Sequence, residues 1–172
     1  MNTTAVGSYA NASGDYATAL GFKTSASNVD SVALGNYSTS AGKSAFAAGT
    51  LANAAEKDSL AIGHSASTTK ENGIAIGTNA SVTGVDSIAG SIVIGRNTTA
   101  DELAVSIGTD SVATGWGGTA VGTISKATGA QSTAIGDNAQ ASDTYSTALG
   151  VSSVASGRAA NAIGLSKATA YA

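Results

Sequence analysis

Few residues of this chain could do chemistry. His64 is the single histidine, and there is no cysteine among the 172 residues. Zero cysteines exclude a disulfide scaffold, a thiolate metal site and a thiol nucleophile. One histidine excludes a multi-histidine metal site and leaves a catalytic triad a single candidate base. Asp30, Asp58 and Asp86 recur at 28-residue intervals, which raises calcium binding. The G-G-x-G-x-D nonapeptide of calcium-loaded β-rolls is absent, so these aspartates read as turn caps. Serine is abundant, but no G-x-S-x-G elbow stands in a strand-to-helix context. His64 reads as an exposed turn residue. The expectation is a non-enzyme with no catalytic residues, no metal and no cofactor.

Composition narrows the class further. Charged residues are 11% of the chain, the net charge is -3, and the pI is near 4.8. That leaves no basic footprint for nucleic acid or an anionic membrane. A hydrophobic fraction of 42% lies outside the regime of disordered chains. The apolar residues are mostly alanine, so an ordinary core of large side chains is missing. No apolar run is long enough to span a membrane as a helix. Met1-Asn2-Thr3-Thr4 has neither the charged nor the apolar region of a secretory signal, so none is expected in this stretch.

A repeat supplies the frame. An aliphatic-glycine phrase recurs twelve times, from Ala5-Val6-Gly7 through Ala61-Ile62-Gly63 to Ala162-Ile163-Gly164. Its glycines are spaced by 14 residues except for one step of 18 (Gly77 to Gly95) and one of 13 (Gly95 to Gly108). Counting from each anchor glycine, positions 10, 12 and 14 are tiny, as in Ser31-Ala33-Gly35 and Ser132-Ala134-Gly136. Positions 11 and 13 are β-branched or aliphatic, as in Val32-Leu34 and Ile74-Ile76. A period of two with strand-favouring residues on one phase is a short strand with two unlike faces. Positions 3 and 5 repeat the alternation, as in Thr24 and Ala26. Of the 19 charged residues, 17 lie at positions 1, 2 and 6 to 9, which marks those as turns; Lys126 and Lys167 are the exceptions. Glycines at position 7 (Gly14, Gly42, Gly84, Gly115, Gly129, Gly157) suit a turn needing positive φ.

Strand, turn, strand, turn is one coil of a β-solenoid. Twelve coils at about 4.8 Å each would stand roughly 55 to 60 Å tall. The absence of proline fits a ladder that needs its N–H groups on both sides. The tiny phase must fill a narrow lumen, which turns the aliphatic phase outward. The outward set is Leu20, Val32, Leu34, Leu60, Ile62, Ile74, Ile76, Ile92, Ile94, Val105, Ile107, Val121, Ile135, Leu149 and Ile163. An apolar stripe of that length exceeds what a soluble monomer exposes, so copies of the chain should cover it.

These units resemble the YadA-like head of trimeric autotransporter adhesins, whose 14-residue repeat has the form N-S-V-A-I-G-x-x-S. The nearest segments are Asp30-Ser31-Val32-Ala33-Leu34-Gly35, Asp58-Ser59-Leu60-Ala61-Ile62-Gly63 and Asn72-Gly73-Ile74-Ala75-Ile76-Gly77. The resemblance implies an all-β, left-handed parallel β-roll of about twelve coils assembled as a homotrimer, with the outward set above at the trimer interface. It also implies display at the bacterial cell surface, projected from a Gram-negative outer membrane, and attachment to host cells. The host partners it implies are matrix proteins of the collagen, fibronectin and laminin class. Residues 1–172 then form a single repetitive head domain, a fragment of a longer surface protein that does not itself enter the membrane.

Two features depart from the pattern and become ligand-binding candidates. One is the irregular insertion near 84–91, with Val85, Asp86 and Ser87; a neutral bulge is the alternative. The other is Trp116, either a binding hot spot or a residue packed against a neighbouring chain. Competing functions are an ice-binding solenoid, a purely structural spacer, and an acyltransferase on a left-handed solenoid. The first needs an uninterrupted outward threonine face, and here positions 2 and 4 vary. The last needs a period of six and a catalytic histidine.

Overall fold

Neither strand of a 14-residue unit can bury its own face, so each coil depends on the coils above and below it. The computed structural model describes residues 2–84 and 90–169. The chain alternates between two parallel twelve-stranded sheets. Strands of three residues, from Thr4–Val6 and Thr18–Leu20 to Asn161–Ile163, form the first. Strands of two residues, from Asn11–Ala12 to Lys167–Ala168, form the second. Pairing joins repeat equivalents, so Ala19 lies opposite Ala33 and Ala33 opposite Ala47. This is the expected all-β solenoid, with a coil of about 14 residues.

The lumen between the sheets is filled by small side chains, as expected. The middle residue of each long strand points inward: Ala19, Ala33, Ala47, Ala61 and Ala75 are fully buried. So is the second residue of most short strands, including Ala26, Ser40, Thr68 and Val82. Among the described residues nothing larger than Val82 and Val93 is fully buried. Where the lumen takes a larger residue, another shrinks. A Cβ added at Gly73 would lie 3.3 Å from Val82 Cγ1 and 3.6 Å from Thr68 Cβ, so glycine there makes room for both. The buried serines have partners in the turns. Ser38 and Ser125 donate to the carbonyls of Gly35 and Gly122 at 2.9 Å, and Ser59 donates to the Glu56 carbonyl at 2.6 Å. Thr68 Oγ1 and Ser132 Oγ have no such partner.

Two turns close each coil. The first begins at the anchor glycine, whose carbonyl accepts the N–H of the third residue on, as Gly35 does from Ser38 at 3.1 Å. The second residue of this turn takes a left-handed conformation with φ of 53 to 58° at Lys23, Tyr37, Asn79, Asn97 and Asn138. Anchor glycines from Gly7 to Gly150 have φ between 118 and 142°. They also stack, so that a Cβ on Gly63 would meet the Gly77 carbonyl oxygen at 2.5 Å. Both facts require glycine.

The second turn corrects one expectation. Among the position-7 glycines, Gly84 has a positive φ (113°), but Gly14, Gly42, Gly115, Gly129 and Gly157 do not. A Cβ at Gly14 or Gly42 would lie 1.9 Å from the carbonyl oxygen of Asn28 or Glu56 one coil on. Close approach between coils selects glycine here. The positive φ falls two residues later, at Tyr16, Ser44, Gln131 and Tyr145. Asp30 and Asp58 hold the same place, with φ of 56° and 53°. Side-chain capping, expected of these aspartates, falls instead to Asn28 and Asp143. Their Oδ1 atoms accept the N–H groups of Val29 at 2.9 Å and Thr144 at 2.6 Å.

The 18- and 13-residue steps leave the ladder intact. Ile74 and Ile76 pair with Ile92 and Ile94 across the insertion, which in turn pair with Val105 and Ile107. Both irregularities fall in the second turn, between the short strand and the next long strand.

Two substitutions test this account by chemical denaturation. Gly63→Ala should destabilise the chain by about 3 kcal/mol, since it meets both backbone strain and a carbonyl clash. Thr68→Val should raise stability by about 1 kcal/mol, because it removes an unpaired buried hydroxyl at nearly constant volume. Val82, one coil on in register, shows that the lumen accepts valine at this place.

Candidate functional site

With the lumen closed by small side chains, the outer faces carry whatever the chain recognises. On the long-strand sheet the third residues form one column in register. Val6, Leu20 and Leu34 begin it, Ala48 interrupts it, and Ile62, Ile76, Ile94 and Ile107 continue it. Val121, Ile135, Leu149 and Ile163 complete it. Beside it runs a half-buried column of Val32, Phe46, Leu60, Ile74, Ile92 and Val105, with threonines at Thr18, Thr119, Thr133 and Thr147. All fifteen residues expected to face outward do so. Ile62 remains 36% exposed and Leu149 43%. Val6 and Phe46 belong to the same stripe but were not among the expected residues. The 14-residue offset from Leu20 and Leu60 was the signal for each.

The short-strand sheet presents a different outer face. Asn11, Ser25, Thr39, Asn53, Ser67, Ser81 and Thr99 follow one another in register as a small polar column. Lys126 and Lys167, the two charges that fall outside the turns, point outward from this sheet. The glycine turns carry a polar ladder. Asn79 Nδ2 donates to Asn97 Oδ1 and Asn97 Nδ2 to Asp110 Oδ1, both at 3.0 Å, while Arg96 lies 3.6 Å from Asp110. His64 is exposed on one of these turns, with Nδ1 3.3 Å from Ser65 Oγ.

Trp116 stands on the second turn and is 43% exposed. It borders an open cleft of about 480 Å³ lined by Thr83, Gly84, Asp101, Glu102 and Thr114. The shortened turn with Asp101 and Glu102 lies between Thr83–Gly84 and Trp116 in this notch. Thr83 donates a hydrogen bond to Asp101 within it. Val85, Asp86 and Ser87 lie outside the described residues. Among the described residues no group of three His, Asp or Glu side chains could hold a metal.

One cluster escaped the sequence reading. Tyr9 and Phe22 meet edge to face at 6.0 Å, and Phe22 meets Tyr37 at 5.3 Å. Lys23 Nζ lies 5.3 Å from the Phe22 ring centre and 5.6 Å from that of Tyr37. Tyr9, Lys23 and Tyr37 share one turn position at 14-residue intervals, which was the available signal; Phe22 enters from the neighbouring position.

Comparison with known proteins places this geometry. The YadA head domain repeat matches in eight overlapping segments that together span 1–89 and 117–153, more than half of the chain. No curated protein is similar in sequence over the chain. Among solved structures, the collagen-binding domain of the Yersinia adhesin YadA superposes with a TM-score of 0.63 at 24% identity. The match covers 81% of this chain and 68% of that one, and at this identity it speaks for the fold. The glycine-anchored 14-residue coil, the small lumen and the matched repeats lead to one assignment: the chain belongs to the YadA head domain repeat family.

Proposed function

We propose that this chain is the adhesive, non-enzymatic head of a homotrimeric surface protein projected from a Gram-negative outer membrane. It attaches the cell to host surfaces or to matrix proteins of the collagen, fibronectin and laminin class. The observation that carries the reading is the uncovered aliphatic column on the long-strand sheet of a chain belonging to the YadA head family. A twelve-coil apolar stripe is a surface that demands a partner. Because it repeats in register along the whole sheet, copies of the chain are the partner it fits. Association through it leaves the polar face and the turns outward for recognition. Three weak contacts made together hold far more tightly than one, which suits a surface without a deep pocket. Residues 1–172 act as one head domain in this reading, and Val85, Asp86, Ser87 and Trp116 are its ligand-binding candidates.

Assembly and adhesion are separable by experiment. Ile62→Asp combined with Ile76→Asp should convert the trimer to folded monomers in analytical ultracentrifugation. Each unpaired carboxylate in an apolar interface opposes association by about 3 kcal/mol or more. A native chain that sediments as a monomer at micromolar concentration would sink the interface. Surface plasmon resonance on immobilised collagen, fibronectin and laminin should show saturable binding to at least one. The monomeric variant should bind more weakly by about a hundredfold through lost avidity. Trp116→Ala should weaken the same binding by about tenfold without changing the sedimentation coefficient. Native binding no stronger than to serum albumin would remove the matrix-protein reading.

A further inference from the structure

The first three coils carry an aromatic patch that the fold does not require. Tyr9 and Tyr37 occupy the left-handed place of the glycine turn, with φ of 58° in both. Four other coils fill that place with Asn79, Asn97, Asp110 and Asn138, residue types that accept a left-handed backbone more readily than a bulky side chain does, while Lys23, Leu51, Ser65, Ile124 and Ser152 hold it elsewhere. The rings do not repay this by covering the chain's own apolar surface. Tyr9 is 77% exposed, Tyr37 48% and Phe22 36%. Among the described residues a group of three rings stacked edge to face on the outer surface occurs here alone.

Charge gives the patch a sign. In the first five coils, positions 1 and 2 of the glycine turn run Ser8-Tyr9, Phe22-Lys23, Asn36-Tyr37, Thr50-Leu51 and His64-Ser65. That stretch has no carboxylate, in a chain whose net charge is -3. Down the same column the first carboxylate is Asp110, which is engaged with Asn97 and Arg96. The Lys23 ammonium therefore sits against two ring faces with no anionic partner among the described residues. A ligand for this surface needs C–H groups to lie on the rings and a negative group to reach Lys23. The ladder from Tyr9 to Tyr37 spans two coil steps, about 10 Å, which is the length of a disaccharide.

We infer that Tyr9, Phe22, Lys23 and Tyr37 form a binding site for a carboxylated saccharide. The sugar ring stacks on the aromatic faces while its carboxylate accepts a charge-assisted hydrogen bond from Lys23 Nζ. The site is distinct from the aliphatic column and from the Trp116 turn. It deepens the adhesin reading and rests on it for where such a sugar is met.

The test is a calorimetric titration of the native assembly with three probes: 3′-sialyllactose, a hyaluronan tetrasaccharide and neutral lactose. At least one acidic probe should bind about tenfold or more tighter than lactose. Preference for sialyllactose identifies a sialic-acid cap, and preference for hyaluronan identifies a uronate polymer; either supports the site. Lys23→Gln should remove the preference for the acidic probe. Tyr37→Asn, which installs the residue found at Asn79, should lower affinity by about tenfold with unchanged melting and sedimentation. The inference is overturned if lactose binds as well as both acids or if Tyr37→Asn leaves binding unchanged. It is also overturned if that variant alters sedimentation, since the rings would then pack between copies. Matrix-protein binding measured on the same preparations keeps the two ideas apart. Binding to collagen, fibronectin or laminin without any acidic-sugar binding overturns this inference alone. Sugar binding without matrix-protein binding overturns the matrix-protein reading alone.

Discussion

Coil-on-coil hydrogen bonding at a fixed step is the constraint from which the rest of this molecule follows. Gly21 N donates to Val6 O at 2.9 Å, Gly35 N to Leu20 O at 2.8 Å, and the pattern continues to Gly164 N and Leu149 O. At a step of about 4.8 Å every side chain faces its own repeat equivalent, so each column has to tolerate itself. Glycine stacks on glycine because nothing larger fits between the carbonyls. Asn79, Asn97 and Asp110 form a column that gains by stacking, since an amide can donate up one side and accept on the other. Carboxylates gain nothing from it. The column Asp30, Ser44, Asp58, Asn72 alternates charge with neutral residues. Between Asp30 and Asp58 the 28-residue interval is two coil steps, which keeps these two carboxylates from lying directly opposite each other.

The same constraint decides where hydrocarbon can go. A lumen lined by the middle residue of each long strand and the second of each short one has room for alanine, serine, threonine and, at Val82 and Val93, valine. Leucine and isoleucine are excluded from it and accumulate on the outside of the same strands. Both outward columns are apolar over the six coils from Val32 to Val105, apart from Ala48, whereas Thr18, Thr119, Thr133 and Thr147 occupy the inner column toward the two ends. The outward apolar surface is thus widest at mid-height. The short-strand sheet carries a mostly polar outer face, with Asn11, Ser25, Thr39, Asn53, Ser67, Ser81 and Thr99 in one column, so the alternation of a single unit gives the two sheets unlike outer surfaces.

Most of this architecture was legible in the residues because a period of 14 and an alternation of two are both visible in one dimension. The inward phase, the outward aliphatic phase and the charged turns all follow from counting from Gly7. What counting could not reach depends on the third dimension. Gly14 and Gly42 looked like residues chosen for positive φ, and only the stacked backbones show that a neighbouring carbonyl excludes a Cβ. Asp30 and Asp58 looked like side-chain caps because aspartate often is one, yet the adjacent Asn28 supplies a cap two residues before Asp30. The ring ladder from Tyr9 to Tyr37 was hidden because Phe22 sits one position away from the tyrosine column. Edge-to-face contact across neighbouring turns is not a periodic signal. The notch beside Trp116 was hidden for a related reason: it is lined by residues of three different coils, Thr83, Asp101 and Thr114 among them.

That pairing of a long and a short turn shows which part of the coil is free to vary. From Gly7 to Gly150 each anchor glycine stands four residues before its short strand, even in the coils on either side of the insertion, as with Gly77 and Ser81 or Gly95 and Thr99. Over this range the glycine turn keeps one length, with its carbonyls, its left-handed residue and its stacked glycines repeated from coil to coil, and only the last, at Gly164, reaches its short strand one residue sooner. The second turn also carries a left-handed residue and, at Gly14 and Gly42, close-packed glycines, yet it does change length. Its residues between strands rise from five in the ordinary coil to nine at 83–91 and fall to four at 101–104, while the strands on both sides keep register. Surface diversity in this architecture therefore takes two forms. Side chains vary on the rigid glycine turn, which makes evenly spaced ladders such as Tyr9-Phe22-Tyr37. Backbone length varies on the other turn, which makes clefts such as the one bordered by Trp116.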